Sequence, residues 1–410
     1  MKRNLDNQAK IFSLSYNKKD TSIFRISITL KNNIEEKYLH QAVERTLKIF
    51  KDFKVKLTQN MFWNYFIEND NKIPVHTKID YKFTKINTKE NNEYPFKISY
   101  ERNLLVVDFI HLLTDGIGSK LFIEELLYNY LRLIDHRLIP QKKLKISSEN
   151  SYTPNYTGKY NKIYIPPKCH QLQGKYIPNK NISFNEINID LESLKKTSQE
   201  KECTISELII SLITFSLYRT NYKSNKPINI CVPVNLRKYF PTNTISNFVS
   251  HSILSIKPSN IETLDNMIYI VKKEYRNKID ESKIKDIFES MGKLINNKLL
   301  NYIPLLLKRQ IVILGSYFIK QRLTFTYSNL GVFELNKDYN KHIKNISFQP
   351  IPNWKERIRC GITLYQNTLN ISFCSNLTDT SLEKKLIQLL DELNVDYDIT
   401  NNKINPIKFD

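Results

Sequence analysis

Short apolar runs with strand character alternate along this chain with stretches whose apolar residues recur every three to four positions. Such alternation restricts the fold to sheets backed by helices, because each helix must lay its apolar stripe on a sheet face. Ser22–Thr29 reads as a strand, and Glu35–Phe50 as an amphipathic helix with Leu39, Ala42, Val43, Leu47 and Phe50 inward. Leu104–Ile110 is a nearly continuous apolar run, as a buried strand requires. The helix from Ile117 to about Ile134 follows it so closely that His111–Gly116 must form a tight strand-to-helix turn.

At 410 residues the chain is too long for one ordinary domain and suits two. Residues 1–150 are expected to form an N-terminal lobe carrying that turn. Residues 151–180 lie in a polar, basic, proline-containing stretch without a sustained period, and are expected to be the crossover. Residues 181–410 would then form a C-terminal lobe of similar content. There Thr204–Glu207 makes a capping box ahead of the apolar helix LIISLITFSLY, and strands are expected at Pro227–Val234, Phe248–Lys257, Leu323–Asn329, Arg359–Tyr365 and Leu369–Ser375. A second capping box, Thr380–Glu383, is expected to start the final helix. Tyr302–Arg322 is apolar with cations interspersed. It is expected to be a buried helix between the lobes, with peripheral membrane contact as the lesser alternative.

Lys and Arg number 62 against 41 Asp and Glu, a formal net charge of +21. The excess suits nucleic acid, an anionic membrane or anionic carriers and substrates. The richness in Lys, Asn, Ile and Tyr, with Ala9 and Ala42 the only alanines, equally fits an AT-rich genome. The cations and tyrosines of Lys159–Lys180 lack a nucleic-acid-binding module around them, so no nucleic-acid partner is expected. The five cysteines, Cys169, Cys203, Cys231, Cys360 and Cys374, are scattered without paired spacing. They read as packing residues, with no disulfide framework and no metal site. The N-terminus has no apolar stretch after its basic start, and no run approaches a membrane span, so the expected compartment is the cytoplasm.

With only 8 glycines in the chain, Gly116 and Gly118 stand out in His111-Leu-Leu-Thr-Asp115-Gly116-Ile-Gly118. The turn delivers His111 to the C-terminal edge of a buried strand, where α/β proteins place ligands. Histidine is the side chain whose ordinary pKa suits proton abstraction near neutrality. Asp115 is placed to fix the turn or pair with a cation, and also where a helix N-cap belongs. Gly116 allows a tight turn and leaves space beside it. Among the other histidines, His40 and His136 read as solvated, and His170 beside Cys169 lacks a third ligand nearby. His251 in FVSHSIL is the next candidate for a substrate contact, although a structural role is favoured.

Together with Val232-Pro-Val-Asn235-Leu-Arg237, this turn resembles the chloramphenicol acetyltransferase/condensation-domain superfamily, and within it the bacterial alcohol-acetyltransferase-like proteins. The superfamily's HHxxxDG motif is matched by Ile110-His111-Leu-Leu-Thr-Asp115-Gly116, with Ile110 in place of the first histidine. Phe24-Arg25-Ile26, Phe62-Trp63-Asn-Tyr65-Phe66 and Tyr327-Ser328-Asn329-Leu330-Gly331 extend the likeness, and the DFGWG element of the plant branch is absent. The resemblance implies two chloramphenicol-acetyltransferase-like α/β lobes, each a mixed sheet backed by helices, with an active-site channel between them. It implies that His111 is the catalytic base and that Asp115 pairs with Arg237 of the other lobe. Ser246 and Asn247 are expected by analogy to line the channel. Ser328 or Thr326 is the candidate oxyanion donor.

The activity so implied is transfer of an acetyl or short acyl group from acyl-CoA to an alcohol or amine. Acetyl-CoA would be a co-substrate, with no permanently bound cofactor and no covalent acyl-enzyme. The alternatives are condensation on acyl groups held by an acyl-carrier protein, and a catalytically silent binding member of the fold.

Overall fold

The structure, a computed structural model, describes residues 2–17, 20–139, 144–159, 165–220, 224–257, 261–353, 356–401 and 405–407. The expected crossover therefore lies partly outside the described residues, at 160–164. The fold is mixed α/β and two-lobed.

Five strands make the N-terminal sheet, in the spatial order Ile343–Pro350, Ile23–Leu30, Leu104–Ile110, Phe96–Glu101 and Val75–His76. The last pair is parallel and the others antiparallel. The helices Glu36–Ile49 and Gly116–Ile134 cover one face. Phe122 there meets Phe50, Phe53, Phe96 and Phe109, all buried, in edge and stacked contacts. Such aromatic packing holds the second helix, and so its N-terminus, at a fixed height over the sheet.

Seven strands make the C-terminal sheet, ordered Val249–Ile256, Ile228–Asn235, Phe325–Phe333, Ile358–Tyr365, Thr368–Ser375, Ser183–Asp190 and Tyr397–Asn401. Phe325–Phe333 runs parallel to both neighbours, and the other pairs are antiparallel. One face packs its isoleucines, leucines and Phe325 against apolar helices, chiefly Ile205–Tyr218, which starts with the expected Thr204–Glu207 capping box. Alternation along the strands sends His251, Cys231, Thr326, Ser328 and Arg359 to the opposite face, toward the N-terminal lobe. Two of the lobe contacts made there are Thr363 Oγ1 to the Ile346 carbonyl at 3.0 Å and Gln349 Nε2 to Glu186 Oε1 at 2.6 Å.

Three expectations are corrected. Strand Ile343–Pro350 leaves the C-terminal half of the sequence to pair with Ile23–Leu30, so residues 181–410 do not form one lobe alone. It passes so close to the other sheet that a Cβ on Gly361 would lie 2.0 Å from the Phe348 carbonyl oxygen. The second capping box does not form. Thr380 makes no side-chain cap, Asp379 accepts from the Ser381 amide at 2.9 Å, and Glu383 turns inward toward Asn185. Finally, helix Leu305–Lys320 is not buried between the lobes, for Leu306, Leu307, Ile311 and Leu314 are all exposed.

Candidate active site

The strand Leu104–Ile110 ends where its backbone pairing runs out, and His111 follows with its amide donating to the Ser22 carbonyl at 2.8 Å. Its ring is half-buried between Phe12, with centroids 4.8 Å apart, and Phe24, at 5.1 Å. Nδ1 lies 2.7 Å from Asn247 Oδ1. Both nitrogens of Asn247 are directed at Asp6, the backbone amide at 3.1 Å and Nδ2 at 3.0 Å from Oδ2. With Nδ2 committed as a donor to the carboxylate, the amide oxygen faces the imidazole and must accept Nδ1–H. The lone pair of the neutral ring is therefore on Nε2.

Burial lowers the His111 pKa below the ordinary histidine value. Asn247 and Asp115 oppose that shift, and the Arg359 charge adds to it. The ring is thus neutral, and a proton acceptor, at pH 7. Asp6 is the N-cap of helix Asn7–Ser15, accepting from the Ala9 amide at 2.8 Å. Burial raises its carboxyl to about 6 against the pull of its amide donors, and Asp115 pushes the same way.

Asp115 is the N-cap of helix Gly116–Ile134. Its Oδ1 accepts from the Ile117 and Gly118 amides at 3.1 and 3.0 Å. The same carboxylate takes a bidentate pair from Arg237, at 2.8 and 3.2 Å, and the Phe248 amide at 2.8 Å. The cap and cross-lobe readings of Asp115 are thus both correct at once. Burial alone would raise its pKa, but Arg237 and the amide donors outweigh it and hold the carboxyl below the usual range. Arg237 spends its other donors on the Thr244 and Ser246 carbonyls, at 3.0 and 2.8 Å. The guanidinium therefore also fixes the loop that carries Asn247.

Gly118, more than Gly116, answers to the close approach of the lobes. A Cβ on it would lie 2.3 Å from the Ile245 carbonyl oxygen and 2.2 Å from Thr114 Oγ1, which itself donates to Ile245 O at 2.6 Å. Gly116 is not among the positive-φ glycines, and the space beside it is filled by Leu330, whose Cδ1 would be 2.6 Å from an added Cβ. The expectation of open space there is corrected.

On the face of the C-terminal sheet turned to the N-terminal lobe, Thr326 Oγ1 donates to Glu356, which also holds Arg359 Nε at 2.7 Å. That hydroxyl is occupied. The hydroxyl of Ser328, on the same face and half-buried, has no hydrogen-bond partner among the described residues. His251 stands near enough to His111 and Arg359 for both to act on it. With burial leading, they push its pKa down to about 4, so it is neutral at physiological pH. Ser246 donates to the Ser148 carbonyl at 3.0 Å and serves the loop.

His40 pairs with Glu36 along its helix at 3.6 Å, and His136 is exposed. All five cysteines are free, and burial raises the Cys231 thiol to about 12. Among the described residues no group of three or more His, Cys, Asp or Glu is placed to hold a metal.

Sequence reading missed Asp6 altogether. Its signal was an Asp followed by a helix, which is indistinguishable from any other N-cap until the fold brings Asn247 to it.

Two α/β lobes thus meet at a histidine, braced by a carboxylate–guanidinium pair that spans the junction. The alcohol acetyltransferase family model matches residues 142–393, more than half of the sequence, and the chain belongs to that family of acyltransferases. The match includes Arg237, Asn247 and Ser328 and begins downstream of the His111 turn. Among curated proteins none matches.

Solved structures share the fold at low identity. The trichothecene 15-O-acetyltransferase from Fusarium sporotrichioides superposes with a TM-score of 0.62 at 10% identity, covering 95% of this chain and 94% of its own. The starter condensation domain of rhizomide synthetase, a variant in complex with C8-CoA, gives 0.64 at 10%, covering 96% and 95%. Polyketide synthase associated protein 5 from Mycobacterium tuberculosis gives 0.61 at 13%, covering 95% and 96%.

Proposed function

We propose that the protein transfers an acetyl or short acyl group from acyl-CoA to an alcohol or amine in a direct ternary complex, with His111 as general base. The observation that carries this reading is the Asp6–Asn247–His111 chain, which leaves Nε2 as the acceptor nitrogen at the lobe junction. As the acceptor's oxygen or nitrogen bonds to the thioester carbon, its proton passes to Nε2. The tetrahedral intermediate then breaks at the C–S bond, and the proton returns from Nε2 to the departing thiolate. Asp115 and Arg237 touch neither reactant. They hold the turn, and the ring with it, in place.

Ser328 is the candidate donor to the oxyanion, since its hydroxyl is available where that of Thr326 is not. His251, uncharged beside His111, is suited to orient the acceptor. The buried cysteines, with Cys231 held as a thiol, do not suggest an acyl-cysteine intermediate.

The test is thiol release from acetyl-CoA over a panel of alcohols and amines, with mass spectrometry of the protein alongside. The proposal predicts release only when a competent acceptor is present, and no acylated protein. Accumulation of an acyl-enzyme would overturn the direct mechanism. Turnover with an acyl-carrier-protein thioester but not with acyl-CoA would overturn the choice of donor.

A further inference from the structure

Helix Leu305–Lys320 is turned inside out. Lys308 and Arg309 face the protein: Lys308 is only 2% exposed, donates to the Phe62 carbonyl at 2.8 Å and lies 3.4 Å from the centre of the Trp63 ring. Arg309 donates to Gln59 Oε1 at 3.0 Å. Several of its apolar side chains face outward instead. Leu306 is 73% exposed and Leu314 67%, with Leu307 and Ile311 at 57% each. Leu307, Ile311 and Leu314 follow one another at four and three residues, so they form a stripe along one side of the helix. Tyr302, exposed just before the helix, stands at its end. An apolar surface of this kind marks an interaction site in a water-soluble environment.

Charge identifies the occupant. From residue 290 to residue 333 the sequence has no Asp or Glu, while Lys293 and Arg322 add cations beyond the inward-facing Lys308 and Arg309. A second copy of a chain carrying +21 would be repelled by this basic surround. An anionic lipid surface offers negative headgroups to the cations and acyl chains to the stripe. The helix, 16 residues long and so about 24 Å, is too short to cross a bilayer but well proportioned to lie along its interface, with a tyrosine at headgroup level. We infer that this helix docks the protein peripherally on an anionic lipid membrane. The helix packs through its other side on Asn7–Ser15, whose Phe12 touches the His111 ring, so one helix separates the docked helix from the candidate active site. The inference itself does not depend on the reaction proposed there.

The test is flotation with vesicles of phosphatidylcholine mixed with phosphatidylglycerol, against vesicles of phosphatidylcholine alone. The wild-type chain is compared with the triple variant L307Q/I311Q/L314Q. These side chains are exposed, so circular dichroism and the melting temperature should be unchanged, which separates loss of binding from loss of fold. The wild type should float with the anionic vesicles and be released by added salt. The triple variant should bind at least about tenfold more weakly. Absence of wild-type flotation, or equal flotation of the variant, would overturn the inference. So would a wild-type dimer in sedimentation velocity that the variant dissolves while vesicles capture neither, since the stripe would then be a self-interface.

Discussion

A single proton decides what the histidine at the lobe junction can do. If Asn247 Oδ1 takes Nδ1–H, the opposite nitrogen is the base; without that bond the ring is free to adopt either tautomer. Asn247→Ala should therefore lower kcat by roughly ten- to a hundredfold with little change in KM, a smaller loss than removing the base itself. Steady-state kinetics on the folded variant check this. Because burial depresses the His111 pKa, the acid limb of kcat/KM should fall below the ordinary histidine value of about 6.5, activity being lost as the pH drops and the ring charges. An acid limb well above that value would contradict the assignment. Arg237 is a different matter. It neutralises a buried carboxylate with two parallel bonds, so Arg237→Ala should cost about 3–5 kcal/mol in denaturant unfolding, and Arg237→Lys should restore only part of it.

At the scale of elements, helix starts illustrate what a sequence shows and what it hides. The Thr204–Glu207 capping box was legible because both halves of the motif satisfy the local backbone. Thr380–Glu383 has the same pattern, yet Glu383 is drawn under its helix to Asn185, a partner 198 residues away that no local signal announces. Burial there drives the Glu383 carboxyl up to about 7, and among the described residues its Oε2 and Asn185 Oδ1 both lack partners. Protonation supplies the missing donor.

Since the folded pKa lies above the unfolded one, the stability this residue contributes is complete below about pH 4.5 and lost as the pH rises through about 7. Glu383→Gln should match the wild type near pH 4 and exceed it by about 3 kcal/mol at pH 8. Glu124, also raised to about 7, adds its own slope to both proteins, so the difference between them is the readout. Helix Leu305–Lys320 was misplaced for a related reason: its period was visible, but which side faces Trp63 depends on the antiparallel pair Val55–Gln59 and Asn64–Glu68, whose turn carries Phe62, 246 residues before Lys308. The strand-helix turn at His111 was legible throughout. Its contact with Ile245 was not, and Gly118→Ala should cost roughly 1–3 kcal/mol where Gly116→Ala meets only the end of a leucine side chain.

Over the whole molecule, the two lobes are tied by more than a crossover. Ile343–Pro350 completes the N-terminal sheet from the far end of the sequence, covering an edge that Ile23–Leu30 would otherwise expose. A fragment of residues 1–150 should accordingly fail to give a cooperative thermal transition, while the full chain gives one; a cooperatively folding fragment would restore the simpler division into lobes. This tying also explains how His111 and Asp115 from one lobe and Asn247 and Arg237 from the other keep distances near 3 Å.

The most direct test of the whole account is the turnover of His111→Ala with acetyl-CoA and an accepting alcohol or amine, measured beside its thermal unfolding. The account predicts a loss of at least about a hundredfold in kcat with the melting transition retained. A folded His111→Ala variant that turns over at the wild-type rate would contradict it.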